Sequence, residues 1–191
     1  VFAVFLDRDG TINQDVQGYL HEPERTRLIP GAAEGIARLN RLGCLVLVVT
    51  NQSGIARGLY TEAEMHAVHA RLQELLAPHG AHIDDFFFSP WHAEGTVPPW
   101  NRAHEDRKPG LGMFRQAQAR YGFDAPCSWM VGDKETDIVF GRRAGLRTVL
   151  VRTGCGEHEF MARRGLWAMQ PHFVAPDLTT VAGLIESAAG K

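Results

Sequence analysis

The first six residues are almost uninterruptedly apolar, and the chain then breaks into Asp7-Arg8-Asp9-Gly10-Thr11. A short run without alternation predicts a strand covered on both faces, as in a parallel sheet. The same event recurs along the chain. Residues 44–50 predict a second buried strand that ends in Thr50-Asn51-Gln52-Ser53-Gly54, 86–88 a third, 128–132 a fourth ending at Asp133, and 147–151 a fifth. Between them the period changes to that of helices. One spans 31–42, with Pro30 before it and Gly43 as its stop. A second spans 61–77 and opens on a Thr61/Glu64 capping box. A third spans 110–121, stopped by Gly122, another ends at Gly145, and Asp177 caps the last. Residues 13–28, with Gly18, Tyr19 and Pro23, predict a loop or short hairpin over the Asp7 end. The Pro-rich stretch 89–107 predicts a second loop, and 154–171 a loop or short helix at the sheet's edge.

Strands alternating with helices predict an α/β fold with a Rossmann-like, doubly wound parallel sheet, here as one domain over residues 1–191. Strands of such a sheet share one carboxyl edge. The polar clusters at Asp7/Asp9, Thr50 to Ser53, Arg107-Lys108 and Asp133/Asp137 can therefore meet in one crevice. A single acid after a strand is ordinarily a turn-former or cap. Two acids one residue apart repel each other and favour a hard, oxygen-seeking cation such as Mg²⁺, with Asp133 and Asp137 adding ligands. The Thr50 hydroxyl and the Lys108 charge suit a phosphate that the acids alone would repel.

Composition narrows the partners. With 191 residues, 45% of them hydrophobic, and a formal charge of −2, the chain can bury a sizeable core and carries no basic footprint for nucleic acid or an anionic membrane. No stretch approaches the ~20 apolar residues of a membrane-spanning helix, and no signal peptide is evident, so a cytoplasmic monomer is expected. Cys44, Cys127 and Cys155 are widely spaced and read as reduced thiols. His66 and His69, three apart on the second helix, read as surface residues.

In order and spacing, Asp7-Arg8-Asp9-Gly10-Thr11, Thr50, Lys108 and Gly132-Asp133 with Asp137 resemble the four-motif signature of the haloacid dehalogenase (HAD) superfamily of phosphatases. Phe5 to Asn13, Thr50 to Gly58, Arg107-Lys108-Pro109 and Val131 to Lys134 are similar to its heptose-bisphosphate and histidinol-phosphate phosphatases. The resemblance implies a Mg²⁺-dependent phosphomonoesterase that removes the 7-phosphate of a heptose 1,7-bisphosphate, in the supply of lipopolysaccharide core precursors. The alternatives are histidinol phosphate or another small phosphate ester. Less favoured are a nucleic acid 3′-phosphate and a silent phosphate-binding module. It further implies Asp7 as nucleophile and Asp9 as general acid and base. Thr50, Asn51 and Lys108 would bind phosphate, and Ser53, Arg57 and Arg107 the rest of the substrate. Mg²⁺ would be held by Asp7, Asp9 and Asp133 with Asp137 in support. Residues 13–30 and 89–106 are each too short for the separate cap domain that many members insert. The related phosphatases commonly carry a Cys/His zinc loop; here those positions are Ser89, Trp91, His104 and Asp106, a poor zinc cage. Packing of Trp91, Trp100, Pro98 and Pro99 is expected to hold that loop instead.

Overall fold

The computed structural model describes residues 1–16 and 19–190; Gly18 of the first loop lies outside them. Six parallel strands form one sheet: β1 (Ala3–Leu6), β2 (Leu45–Asn51), β3 (Asp85–Ser89), β4 (Trp129–Gly132), β5 (Arg147–Val151) and β6 (Phe173–Ala175). Their spatial order is β3-β2-β1-β4-β5-β6. Strand β1 therefore lies at the centre, and the winding reverses on either side of it. Ligands of open α/β sheets bind at such a switch point, beyond the carboxyl ends of the strands.

The helices are α1 (Ala32–Leu42), α2 (Glu62–Leu76), α3 (Gly112–Tyr121), α4 (Glu135–Arg143), a short turn α5 (Gly156–His158) and α6 (Leu178–Ala188). Successive strand residues face opposite sides, and the core divides accordingly. Val4, Leu6, Val46, Val48, Trp129 and Val131 pack with α1 and α6, while Ala3, Phe5, Leu47, Val49 and Met130 pack with α3 and α4. Phe5 is the pivot of the second layer, with ring centroids 5.3 Å from Phe123 and 6.4 Å from Phe140.

Strand β6 is an addition to the five strands that the pattern predicts. It has three residues and pairs only with β5, too short for a recognisable periodicity. The predicted capping box is present: the Thr61 N–H donates to Glu64 and the Glu64 N–H returns to the Thr61 hydroxyl. Asn13 pairs with Leu28 in an antiparallel bridge, and the Gln14 N–H donates to the Arg27 carbonyl, closing the first loop beside the end of β1. Among the described residues, neither this loop nor that of residues 89–106 contains more than a helical turn, so no cap domain covers the carboxyl edge. No helix of the described residues is long and apolar enough to cross a membrane.

Candidate active site

The carboxyl edge brings together Asp7, Asp133 and Asp137, whose nearest ligand atoms all lie within 4.8 Å of one another. Each arrives by its own element. Asp7 follows β1, and its N–H donates to the Val131 carbonyl at 2.9 Å. Asp133 follows β4, and Asp137 sits in the first turn of α4, where one oxygen accepts the Lys134 N–H at 3.1 Å. Gly10 allows this approach. It has φ +85°, and a Cβ there would lie 2.2 Å from Asp133 Oδ2.

Lys108 supplies the counter-charge. Only 3% exposed, it donates to Asp7 Oδ1 at 2.9 Å, Asp137 Oδ1 at 2.6 Å and the Val49 carbonyl at 2.8 Å. All three ammonium hydrogens are thereby committed. Burial works against its charge, but the two carboxylates outweigh it and raise the pKa. Lys134 adds a half-exposed ammonium 3.9 Å from Asp133 Oδ1, and the balance is still negative, because two lysines face three acids. Burial first, and then the Asp7 charge, pushes Asp133 up to about 8 and Asp137 up to about 6. Asp133 Oδ2 accepts the Cys155 N–H at 2.8 Å, whereas its buried Oδ1 has no hydrogen-bond partner. An orphaned carboxylate oxygen among crowded acids fits a divalent cation with hard oxygen ligands.

Asp9 has a different environment. Arg8 grips it with Nε to Oδ1 at 3.1 Å and Nη2 to Oδ2 at 2.8 Å, Asn13 Nδ2 donates to Oδ1 at 2.9 Å, and Gln52 Nε2 donates to Oδ2 at 3.1 Å. Burial alone would raise this carboxyl. The Arg8 charge and the donated hydrogen bonds more than offset it, so Asp9 is held below the usual range and ionised.

The predicted phosphate and substrate residues divide into two groups. Thr50 is buried, and its hydroxyl accepts from Gln52 Nε2 at 2.8 Å. The Asn51 side chain is spent on the main chain of Lys108, accepting its N–H at 2.9 Å and donating to its carbonyl at 3.1 Å. It holds the lysine loop against β2. Ser53 is buried with its Oγ 3.4 Å from the Tyr19 hydroxyl, Arg57 lies against His92 at 3.2 Å and pairs with the exposed Glu94 at 3.5 Å, and Arg107 donates to the Trp91 carbonyl at 3.4 Å. Burial first lowers the Arg107 pKa, and the neighbouring Arg57 charge lowers it further. Two guanidiniums close enough to repel, with only the exposed Glu94 paired to Arg57, suit a second anionic group. A cleft of about 190 Å³ beside Asp9 is lined by Asp9, Asp15, Tyr19, Asn51 and Gln52.

The loop of residues 89–106 is clasped by aromatic rings. Trp91 stacks on His104 with centroids 4.1 Å apart, meets Trp100 edge-on at 4.7 Å, and lies under the Arg102 guanidinium. His104 and Asp106 are paired with each other at 3.2 Å. The loop thus delivers Arg107 and Lys108 through packing.

His69 departs from the surface placement predicted for it. It is 4% exposed, stacks on Phe86 at 4.3 Å, and places Nε2 3.3 Å from Arg8 Nη1, to which only a neutral imidazole can present an acceptor. Burial, and then the Arg8 charge, pushes it down to about 3. The folded state refuses a proton that the unfolded chain accepts near 6.5, so stability is lost as pH falls below that value, levelling off below about 3. Between pH 6.5 and 4.5 this residue should cost the native state about 2 kcal/mol. Urea unfolding at the two pH values should show that loss reduced in His69→Gln; an identical loss would assign it to other groups. Arg8 and Gln52, which stand in the predicted motifs without a role assigned to them, and Tyr60, His69 and Cys155, which stand in none, also support the site. His66 is exposed as predicted.

The sequence profile of the HAD-hydrolase-like family matches residues 106–181. A D-glycero-D-manno-heptose-1,7-bisphosphate 7-phosphatase of Thermosynechococcus vestitus is 43% identical over 180 residues, covering 92% of this chain and 91% of its own. The D-glycero-beta-D-manno-heptose-1,7-bisphosphate 7-phosphatase of Yersinia pestis is 42% identical over 80% of this chain and 81% of its own. Among solved structures, a D,D-heptose 1,7-bisphosphate phosphatase from B. bronchiseptica, complexed with magnesium and phosphate, superposes with a TM-score of 0.86. It is 34% identical, and the match covers 98% of this chain and 99% of that one.

Proposed function

The chain belongs to the HAD superfamily of phosphatases, in its heptose-1,7-bisphosphate 7-phosphatase branch, and from that premise we propose that it hydrolyses the 7-phosphate of D-glycero-D-manno-heptose 1,7-bisphosphate. The reading rests above all on one arrangement: Asp7 buried at the end of the central strand, bridged by Lys108 to Asp137, beside the unsatisfied oxygen of Asp133.

In the first step an Asp7 oxygen attacks phosphorus, the bond from phosphorus to the sugar oxygen breaks, and Asp9 gives that oxygen its proton. In the second, Asp9 takes a proton from water as the water oxygen attacks the aspartyl-phosphate, releasing inorganic phosphate and restoring Asp7. Asp9 rests ionised, the form the second step uses. Its proton for the first step therefore arrives with the substrate, whose phosphate has a second pKa near 6, and the proton that Asp9 takes from water leaves with inorganic phosphate, which returns Asp9 to its ionised state. Thr50 donates its hydroxyl to a phosphoryl oxygen. Lys108 turns from Asp7 toward the phosphoryl group as the Asp7 charge is consumed. Mg²⁺, held by Asp7, the Asp9 carbonyl and Asp133 with Asp137 behind them, would neutralise phosphate charge and let an anionic nucleophile approach. Arg107 and Arg57, with Ser53 and Tyr19, receive the remaining sugar phosphate. The acting unit in this reading is a monomer with no nucleic-acid substrate.

Phosphate release with Mg²⁺ should be measured on both anomers of heptose 1,7-bisphosphate, histidinol phosphate, fructose 1,6-bisphosphate and a 3′-phosphorylated oligonucleotide. The expected result is a preference of about a hundredfold in kcat/KM for one heptose anomer, roughly 2.7 kcal/mol of differential transition-state binding, and loss of activity on chelation. Comparable rates on all five would overturn the substrate assignment.

A further inference from the structure

Tyr60 is 5% exposed, and its hydroxyl is 2.5 Å from Gln52 Oε1. Gln52 is itself 2% exposed and donates through Nε2 to both Asp9 Oδ2 and Thr50 Oγ1. The direction of these bonds is dictated by chemistry. Asp9 Oδ2 already accepts from the Arg8 guanidinium, so it is the Gln52 NH₂ that faces it, and Oε1 faces the other way, toward Tyr60. Burial raises the Tyr60 pKa, which keeps the phenol protonated and a donor. Thr50 spends a lone pair on Gln52, which leaves its own proton free for a phosphoryl oxygen. Without the phenol the buried Oε1 has lost its donor, the amide is free to tilt away from Asp9 and Thr50 in search of another, and two reactive groups would lose their orientation at once.

We propose that Tyr60 is a positioning residue for phosphoryl transfer, acting through the Gln52 amide to orient the Asp9 carboxylate and the Thr50 hydroxyl. The inference rests on Asp9 being the group that protonates the leaving oxygen. It applies most to substrates whose leaving group needs that proton: a sugar alkoxide does, whereas p-nitrophenolate leaves without one. Only kcat/KM is compared, because it reports the steps through departure of the leaving group.

Tyr60→Phe retains the ring and removes the donor. With Mg²⁺, it should lower kcat/KM about tenfold or more for heptose 1,7-bisphosphate, where the Asp9 and Thr50 contributions are both lost, and less than threefold for p-nitrophenyl phosphate, where only that of Thr50 is. If Tyr60 acts through Gln52, the double variant Tyr60→Phe/Gln52→Leu should be no slower than Gln52→Leu alone. Equal losses on the two substrates, no loss on either, or multiplying losses in the double variant would overturn the inference while leaving the function intact. A wild-type enzyme inactive on both substrates would overturn the functional reading and this inference together.

Discussion

Replacing Asp7 with Asn should lower kcat by about four orders of magnitude or more and leave the fold in place. The amide has the carboxylate's shape but is a far weaker nucleophile, and removing a covalent nucleophile commonly costs 10⁴-fold to 10⁶-fold. The stability side of the prediction is less usual. The Asp7 charge contributes to the raised pKa values of Asp133 and Asp137, so removing it relieves repulsion in a buried site where Lys108 keeps its bonds to Asp137 and Val49. In the absence of metal the variant should unfold at or above the wild-type temperature, a trade of activity for stability expected where a site is strained. Single-turnover phosphate release and thermal unfolding measure the two effects; kcat within tenfold of wild type would remove Asp7 as the nucleophile.

Lys108→Met should be severe in both respects. It removes the charge shared by Asp7 and Asp137, whose side chains are 8% and 1% exposed, and leaves two uncompensated carboxylates beside Asp133. Breaking a buried ion pair by deleting one partner typically costs about 3–5 kcal/mol. Turnover should also fall about a thousandfold, because the phosphoryl group loses its one buried lysine. Asp137 titrates upward from its ordinary value even with Lys108 present. A group with a raised carboxyl pKa in the folded state penalises folding when ionised, and the penalty shrinks as pH falls through that pKa. The variant should therefore be least stable relative to wild type above pH 7 and recover part of the difference by pH 5. Urea unfolding at the two pH values tests this; a constant difference would point to lost packing of the lysine stem.

Much of the site is visible in local pattern. Asp7, Thr50 and Asp133 announce themselves because a buried apolar run ends at each, and a strand end is a property of a few adjacent residues. The 3.6 period likewise places α2, and its buried stripe of Met65, Val68, Leu72 and Leu76 includes His69. Two histidines three apart suggest a surface pair only if that stripe is ignored. Asn51 illustrates the opposite case. Its position at the carboxyl end of β2 suggests phosphate, and the Lys108 loop rests on its side-chain amide as well, a demand that no local pattern reports. The pattern after β5 predicts a loop or short helix at the sheet's edge and nothing of the site, although Gly154 and Cys155 close over Asp133.

The sequence by itself determined the alternation of strands and helices, the carboxyl edge as the place of chemistry, and the residue types brought to it, because periodicity and turn chemistry act over neighbouring residues. Tertiary structure alone decided which partner each group has: Lys108 between Asp7, 101 residues away, and Asp137, 29 away, and Asp9 under an amide 43 residues distant. Those pairings depend on the order β3-β2-β1-β4 and its register, and burial then turns them from weak surface encounters into the interactions that set charge, proton and orientation.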